Sequence, residues 1–275
     1  MRCGAGVSRF RGVLFVLAML AMPSITNASS SPQAAGAKQA DRNKLWNLIH
    51  GECATVASRA AYPPSPCIEV SLSQGLAQGY AVFKDRDGPY QYLVLPLARI
   101  TGIESPALLA PDTANYFADA WTARLYAEAA LHAKQPRDVL SLVVNSENGR
   151  SQDQLHIHID CIRPDVHAAL QRLLPTITGQ WRPLHETLPP HQHHYEAMWV
   201  DGETLTVNPF TSLAASLPAG DSMALHSLIV VGAYTATGVP GFIVLSGHAD
   251  PASGDRGSGD ELQDLTCAIA SHPSP

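Results

Sequence analysis

The run Gln154-Leu155-His156-Ile157-His158-Ile159 places two histidines two positions apart among apolar residues. On a strand, alternate side chains share a face. Leu155, Ile157, Ile159 and Cys161 then form one face, and Gln154, His156, His158 and Asp160 the other. Successive positions on one face lie about 6.6 Å apart. The first set is a core face, so the second carries two imidazoles and an amide on a rigid platform. Three readings suit it. The histidines are ordinary solvated strand residues; or they are two metal ligands, completed by His185, His191, His193 or His194; or they line a site where a neutral imidazole is nucleophilic near pH 7. Alternation alone does not choose.

The surrounding pattern gives the elements that must position this strand. Asp41 opens an amphipathic helix with Leu45, Leu48, Ile49, Cys53 and Val56 on one face, ended by a proline cluster. Tyr80–Phe83 and Tyr90–Leu95 flank a turn at Asp85-Arg86-Asp87-Gly88 and predict a hairpin. Pro111-Asp112 begins a second helix with a buried stripe of Phe117, Trp121, Leu125 and Tyr126. Val139–Val144 is β-rich, and Asn145–Gly149 is a turn before the motif strand. Beyond Pro164 a short helix runs to Leu174. Ser227–Tyr234 and Gly241–Ser246 predict a second hairpin, Ser258–Ile269 a closing helix, and Gly247–Gly259 a mobile loop. Strand pairs with interspersed helices predict an α+β fold on a largely antiparallel sheet.

The N-terminal residues stand apart from this fold. Arg2, Arg9 and Arg11 precede a ten-residue apolar run from Val13 to Met22, then Pro23 and small residues, with Ala28 before Ser29 a cleavage position. That layout reads as a secretory signal peptide; the run is half the length of about 20 residues that a spanning helix needs. The expectation is an exported, periplasmic protein, anchored to the inner membrane if the leader is retained. Residues 29–40 read as a tether and 41–275 as the folded domain.

Loss of residues 1–28 removes three arginines and no acid, taking the formal charge from −6 to −9. That balance excludes general nucleic-acid binding, which needs a broad basic surface. Cys53, Cys67, Cys161 and Cys267 remain, with spacings unlike paired zinc knuckles, so disulfides are expected. Their three pairings stay open. In one, Cys53–Cys67 closes a short loop and Cys161–Cys267 ties the C-terminal segment to the motif strand; these would contribute about 3 and about 5 kcal/mol.

The context of the motif strand narrows the function. The segment from Asn145 to Val166, with Gly149-Arg150-Ser151 ahead of the His-x-His run, resembles the histidine-triad (HIT) superfamily, whose motif alternates histidine and apolar residues. Phe83-Lys84-Asp85 through Gln91-Tyr92-Leu93-Val94-Leu95-Pro96 looks like that superfamily's first hairpin. Thr101-Gly102-Ile103-Glu104-Ser105-Pro106, Cys161-Ile162-Arg163-Pro164-Asp165-Val166 and the four cysteines are similar to the CDP-diacylglycerol pyrophosphatase family, over about Asp41 to Ile269.

The resemblance implies a HIT-like fold and hydrolysis of CDP-diacylglycerol to CMP and phosphatidate through a nucleotidyl-histidine intermediate, with no metal or cofactor. His156, in the middle position, would attack the α-phosphorus, splitting one displacement into two steps. His158 would bind phosphate or pass a proton to the departing phosphatidate. Gln154 stands where the motif has its first histidine; it donates a hydrogen bond but carries no proton. Asn145 and Gln91 match polar contacts to nucleotide or phosphates, and Arg150 and Ser151 match donors near the leaving group. Arg163 and Lys84 are further basic candidates, and His193 falls in a segment similar to the family. A lipid substrate implies an apolar groove or a membrane surface, and the superfamily often forms homodimers. Two other functions suit the residues: a noncatalytic nucleotide or lipid-headgroup binder, and a metal-binding β-protein using His156 and His158.

Overall fold

Among the described residues of the computed structural model (Met1, 42–59 and 63–270), nine strands form a single antiparallel sheet. In chain order they are β1 (Glu69–Ser71), β2 (Tyr80–Lys84), β3 (Tyr92–Pro96), β4 (Leu140–Val144), β5 (Ile157–Cys161), β6 (Arg182–Pro183), β7 (Tyr195–Asp201), β8 (His226–Tyr234) and β9 (Pro240–His248). Across the sheet the order is β1-β2-β3-β5-β4-β8-β9-β7-β6. Helices α1 (Lys44–Leu48) and α2 (Ala54–Ser58) are joined by a π-helical turn, Ile49–Cys53; α3 (Tyr116–Ala123), α4 (Leu125–Ala130), α5 (Pro164–Leu173) and α6 (Pro209–Ser216) follow. The leader, the tether at 29–40 and Asp41 lie outside the described residues.

Alternation assigns each sheet face its cover. Val82, Val94, Ile157, Ile159, Leu142, Val230 and Val244 face the main core, where Phe117 and Trp121 of α3 and Phe210 of α6 pack over them. Trp121 meets Phe242 edge-on at 5.0 Å between ring centroids. The opposite face carries two separate apolar patches. Val143, Ile229, Val231, Ile243 and Leu245 are covered by Val166, Leu170 and Leu173 of α5. Ala81, Leu93 and Leu95 are covered by Ile49, Cys53 and Ala54 of the α1–α2 segment. Between the patches runs the polar side of β5, so neither helix covers it.

The structure corrects several expected boundaries. The motif strand begins at Ile157, where its ladder with β3 ends at Val94 although β3 continues to Pro96 paired with β2. Leu155 N–H turns instead to the Ile100 carbonyl at 2.6 Å. The second helix starts at Tyr116, since Asn115 accepts Ala118 N–H as N-cap while its amide donates to the carbonyls of Leu205 and Val207. Leu125, expected in the stripe, is 49% exposed. The closing helix shrinks to a 3₁₀ turn, Gly259–Leu262. Asp264 N–H bonds the Cys161 carbonyl, and Cys267 turns to a φ of 52°, so pairing with β5 overrides local helix preference. Gly247–Gly259 is no free loop: its start belongs to β9, and Ser146 N–H and Arg256 Nε–H tie it to the 145–150 segment.

Both disulfides are present, Cys53–Cys67 across the α1–α2 segment and Cys161–Cys267 from β5 to the C-terminal segment. The second spans a sequence separation of 106 and bridges elements that otherwise meet through backbone pairing at Ile162 and Gln263. Replacing Cys161 and Cys267 together by alanine is expected to lower unfolding free energy by about 2–5 kcal/mol in urea titration, more than replacing Cys53 and Cys67. An equal or smaller loss would contradict this.

Candidate active site

The in-register strands β2, β3, β4 and β5 and their continuations bring Phe83 and Asp85, Gln91 and Leu93, Asn145, and His156 and His158 together. His158 sits directly between Leu93 and Val143 in the ladder. Above them is a cavity of about 940 Å³, closed on one side by Lys44, Leu45 and Leu48 of α1. The α1 segment is fastened there by the bidentate Arg42–Asp153 pair and by Leu45 N–H donating to Gln152 Oε1 at 3.1 Å.

His156 lines this cavity and is 9% exposed. Its Nδ1 lies 2.7 Å from the Gln154 carbonyl oxygen. A carbonyl only accepts, so Nδ1 carries the proton and Nε2 holds the lone pair. Burial, with a smaller push from His158, lowers its pKa to about 4. The ring is therefore neutral at physiological pH, with a basic nitrogen directed away from the backbone. His158 lies 4.9 Å away between ring centroids, its pKa also lowered by burial. Both of its ring nitrogens are buried without a hydrogen-bond partner among the described residues. Further along the same face, burial pushes the Asp160 carboxyl up to about 7, and its Oδ2 has no hydrogen-bond partner among the described residues.

The matched family model for CDP-diacylglycerol pyrophosphatase covers residues 40–271. The chain belongs to the CDP-diacylglycerol pyrophosphatase family. It is 39% identical to the CDP-diacylglycerol pyrophosphatase of Yersinia pestis over 233 residues, which is 83% of this chain and 85% of that relative. The family is one of hydrolases, and the match spans every element that walls the cavity.

Of the residues named for this family's chemistry, His156, His158, Asn145, Gln91 and Ser151 meet at the cavity. Asn145 is held there by a reciprocal pair: its Nδ2 donates to Asp260 Oδ2 at 3.0 Å, and Asp260 N–H donates to its Oδ1. Four others are placed elsewhere. Gln154 is fully buried, its amide nitrogen Nε2 donating to the carbonyls of Pro96 and Ala98 at 2.9 and 3.1 Å. That use occupies the donor intended for a phosphoryl oxygen and makes Gln154 a support for the His156 backbone. Arg150 is 6% exposed and grips Glu104 with two bonds, 2.7 and 2.9 Å, and Asp153 with more distant ones. Gly102 leaves room for that guanidinium, where a Cβ would collide with it. Lys84 donates to the carbonyls of Asp85 and Gly88, closing the hairpin turn. Arg163 pairs with Asp165 at the start of α5.

The histidine-rich segment is likewise apart. His185 and His194 line a different cleft beside α5, and His193 Nδ1 faces Glu261 at 2.9 Å. Among the described residues, neither His156 nor His158 belongs to a group of three potential metal ligands. The alternative reading, a metal site on His156 and His158 completed by His185, His193 or His194, finds these three placed at other contacts.

Asp260, Gln263 and Leu265 line the cavity and were not anticipated. They come from a segment whose local pattern reads as helix and which reaches β4 only through tertiary bonds, such as Gln263 Nε2 to Ser141 Oγ at 3.0 Å. Arg86, Asp85 and Asp87 join from the hairpin turn.

Two outcomes follow. Arg150→Ala is expected to cost about 2–3 kcal/mol of stability in urea unfolding, the scale of charge-assisted bonds removed from a buried pair; an unchanged midpoint would show the pair to be idle. Hydrolytic rate should stay level through neutral pH and fall as pH approaches about 4, where protonation takes the Nε2 lone pair of His156. A loss of rate already complete at the ordinary histidine pKa would contradict the burial effect.

Proposed function

We propose that this chain hydrolyses the pyrophosphate bond of CDP-diacylglycerol, releasing CMP and phosphatidate, by a histidine-triad mechanism with His156 as nucleophile. The observation that carries the reading is the 2.7 Å bond from His156 Nδ1–H to the Gln154 carbonyl, which leaves Nε2 as the lone-pair nitrogen facing the cavity. Family membership supplies the substrate class.

In the first step Nε2 attacks the α-phosphorus, and the bond to the bridging oxygen breaks. The electron pair leaves on phosphatidate. In the second, water attacks the same phosphorus and breaks the phosphorus–nitrogen bond, giving CMP and restoring His156. Two in-line displacements replace one. His158, neutral and without hydrogen-bond partners among the described residues, presents one N–H and one lone pair. It can donate to a phosphoryl oxygen in one step and accept a proton from water in the next. Lys44 and Arg86 bring positive charge to a cavity wall that also carries Asp85, Asp87 and Asp260. The motif's first position takes no part in proton transfer here; Gln154 holds the carbonyl that fixes the His156 tautomer.

The reading extends to location. The signal-like N-terminus supports an exported enzyme, meeting its lipid substrate at the outer face of an inner membrane. Among the described residues no helix is long and apolar enough to cross a membrane. Leu45, Leu48 and Leu265 on the cavity wall are apolar surface suited to part of an amphiphilic substrate.

The test uses purified protein, CDP-diacylglycerol micelles and a chelator. CMP release should persist in EDTA and fall on the order of 10⁴-fold or more in His156→Ala. Equal activity in that variant would refute the nucleophile, chelator sensitivity would favour a metal-dependent route, and binding without CMP release would favour a noncatalytic binder.

A further inference from the structure

A second group of ligand-bearing side chains lies apart from the cavity residues. His226 is the first residue of β8 and His248 the last of β9, and the antiparallel ladder pairs them directly. Their rings meet edge-on, 4.9 Å between centroids at 86°. Both Nε2 atoms face the carboxylate of Asp221: His226 to Oδ2 at 3.1 Å, His248 to Oδ1 at 3.4 Å. Oδ1 also accepts Ser222 N–H at 2.7 Å. One ligand atom from each of the three residues lies within 4.8 Å of the others.

We propose that Asp221, His226 and His248 form a binding site for a divalent transition-metal ion of the zinc type. Ligands at about 2.0–2.1 Å in a tetrahedral shell are about 3.3 Å from one another; each histidine Nε2 lies near that spacing from one oxygen of the shared carboxylate, 3.1 Å from Oδ2 and 3.4 Å from Oδ1. Two imidazoles and a carboxylate are a borderline-soft donor set that prefers zinc to magnesium or calcium, which take oxygen shells. The outer shell is also in place. His226 is 6% exposed, and its Nδ1 bonds Ser246 Oγ at 2.9 Å, which orients the ring and leaves Nε2 for the ion. His248 is half exposed, so the fourth position is open to water.

Such an ion would act as a clamp rather than in the hydrolysis. Asp221 closes a turn onto the Pro218 carbonyl, and the 3₁₀ turn Met223–Leu225 follows it. That turn accepts Glu147 N–H at the Ala224 carbonyl and Ala249 N–H at the Leu225 carbonyl. Fixing Asp221 to the ends of β8 and β9 therefore stiffens the support beneath the 145–150 segment, one residue of which is Asn145.

The experiment is a zinc titration of the chelator-stripped full chain by competition with a chromogenic chelator, paired with thermal unfolding. One equivalent of zinc should bind and raise the melting temperature, and excess magnesium should not compete. His248→Ala and Asp221→Asn, both at solvent-accessible positions, should lose that equivalent while keeping the wild-type circular dichroism spectrum. Ser246→Ala should weaken zinc binding about 10–100-fold, the effect of losing an outer-shell partner. His191→Ala should change nothing. Absence of tight zinc binding, or binding that survives in both His248→Ala and Asp221→Asn, would overturn the proposal and leave the three residues as a hydrogen-bonded latch.

Discussion

The polar strip of β5 exists because the strand's other face is committed to the core. Ile157, Ile159 and Cys161 are completely buried, and together they remove far more apolar surface from water than any rearrangement could recover at about 25 cal/mol per Å². A one-residue slip would turn that whole set away from the main core and drive two imidazoles and a carboxylate into it. The register of β5 against β3 and β4 is fixed by this asymmetry. With it are fixed the positions of His156 and His158 between two apolar patches that different helices cover.

Within that frame one bond fixes the His156 tautomer on which the proposed mechanism rests. A neutral imidazole has two nitrogens, and only the unprotonated one can attack phosphorus. The Gln154 carbonyl decides between them by accepting Nδ1–H. Gln154 is itself held by its side chain against the carbonyls of Pro96 and Ala98, at the end of β3. On the proposed mechanism, Gln154 would serve His156 through its backbone and its anchoring, where a hydrogen bond suffices and no proton need move.

Much of this was legible in the sequence. The alternation of Leu155, Ile157 and Ile159 against His156 and His158, the hairpin about Asp85–Gly88 and the Pro164 helix all follow from local periodicity and turn chemistry. What was not legible depends on distant partners. Arg150 and Gln154 look free to meet substrate until Glu104, Pro96 and Ala98 are placed beside them. Asp260 and Gln263 reach the cavity only through bonds to Asn145 and Ser141, more than a hundred residues earlier. Local pattern reports a helix there, and tertiary pairing with β5 makes it a turn. Strand β7 is hard to read from the sequence because its alternation breaks at Ala197-Met198, where two successive residues are buried.

The central claim is that the reaction passes through a covalent bond to His156 Nε2. Its most direct test is to mix enzyme with an excess of CDP-diacylglycerol, quench within a single turnover into alkali, where phosphoramidates survive, and map the digest by mass spectrometry. The account predicts a cytidylyl group on the peptide containing His156, formed and lost at rates competent for turnover and absent in His156→Ala. Turnover with no adduct at His156, or with an adduct on a different residue, would contradict it.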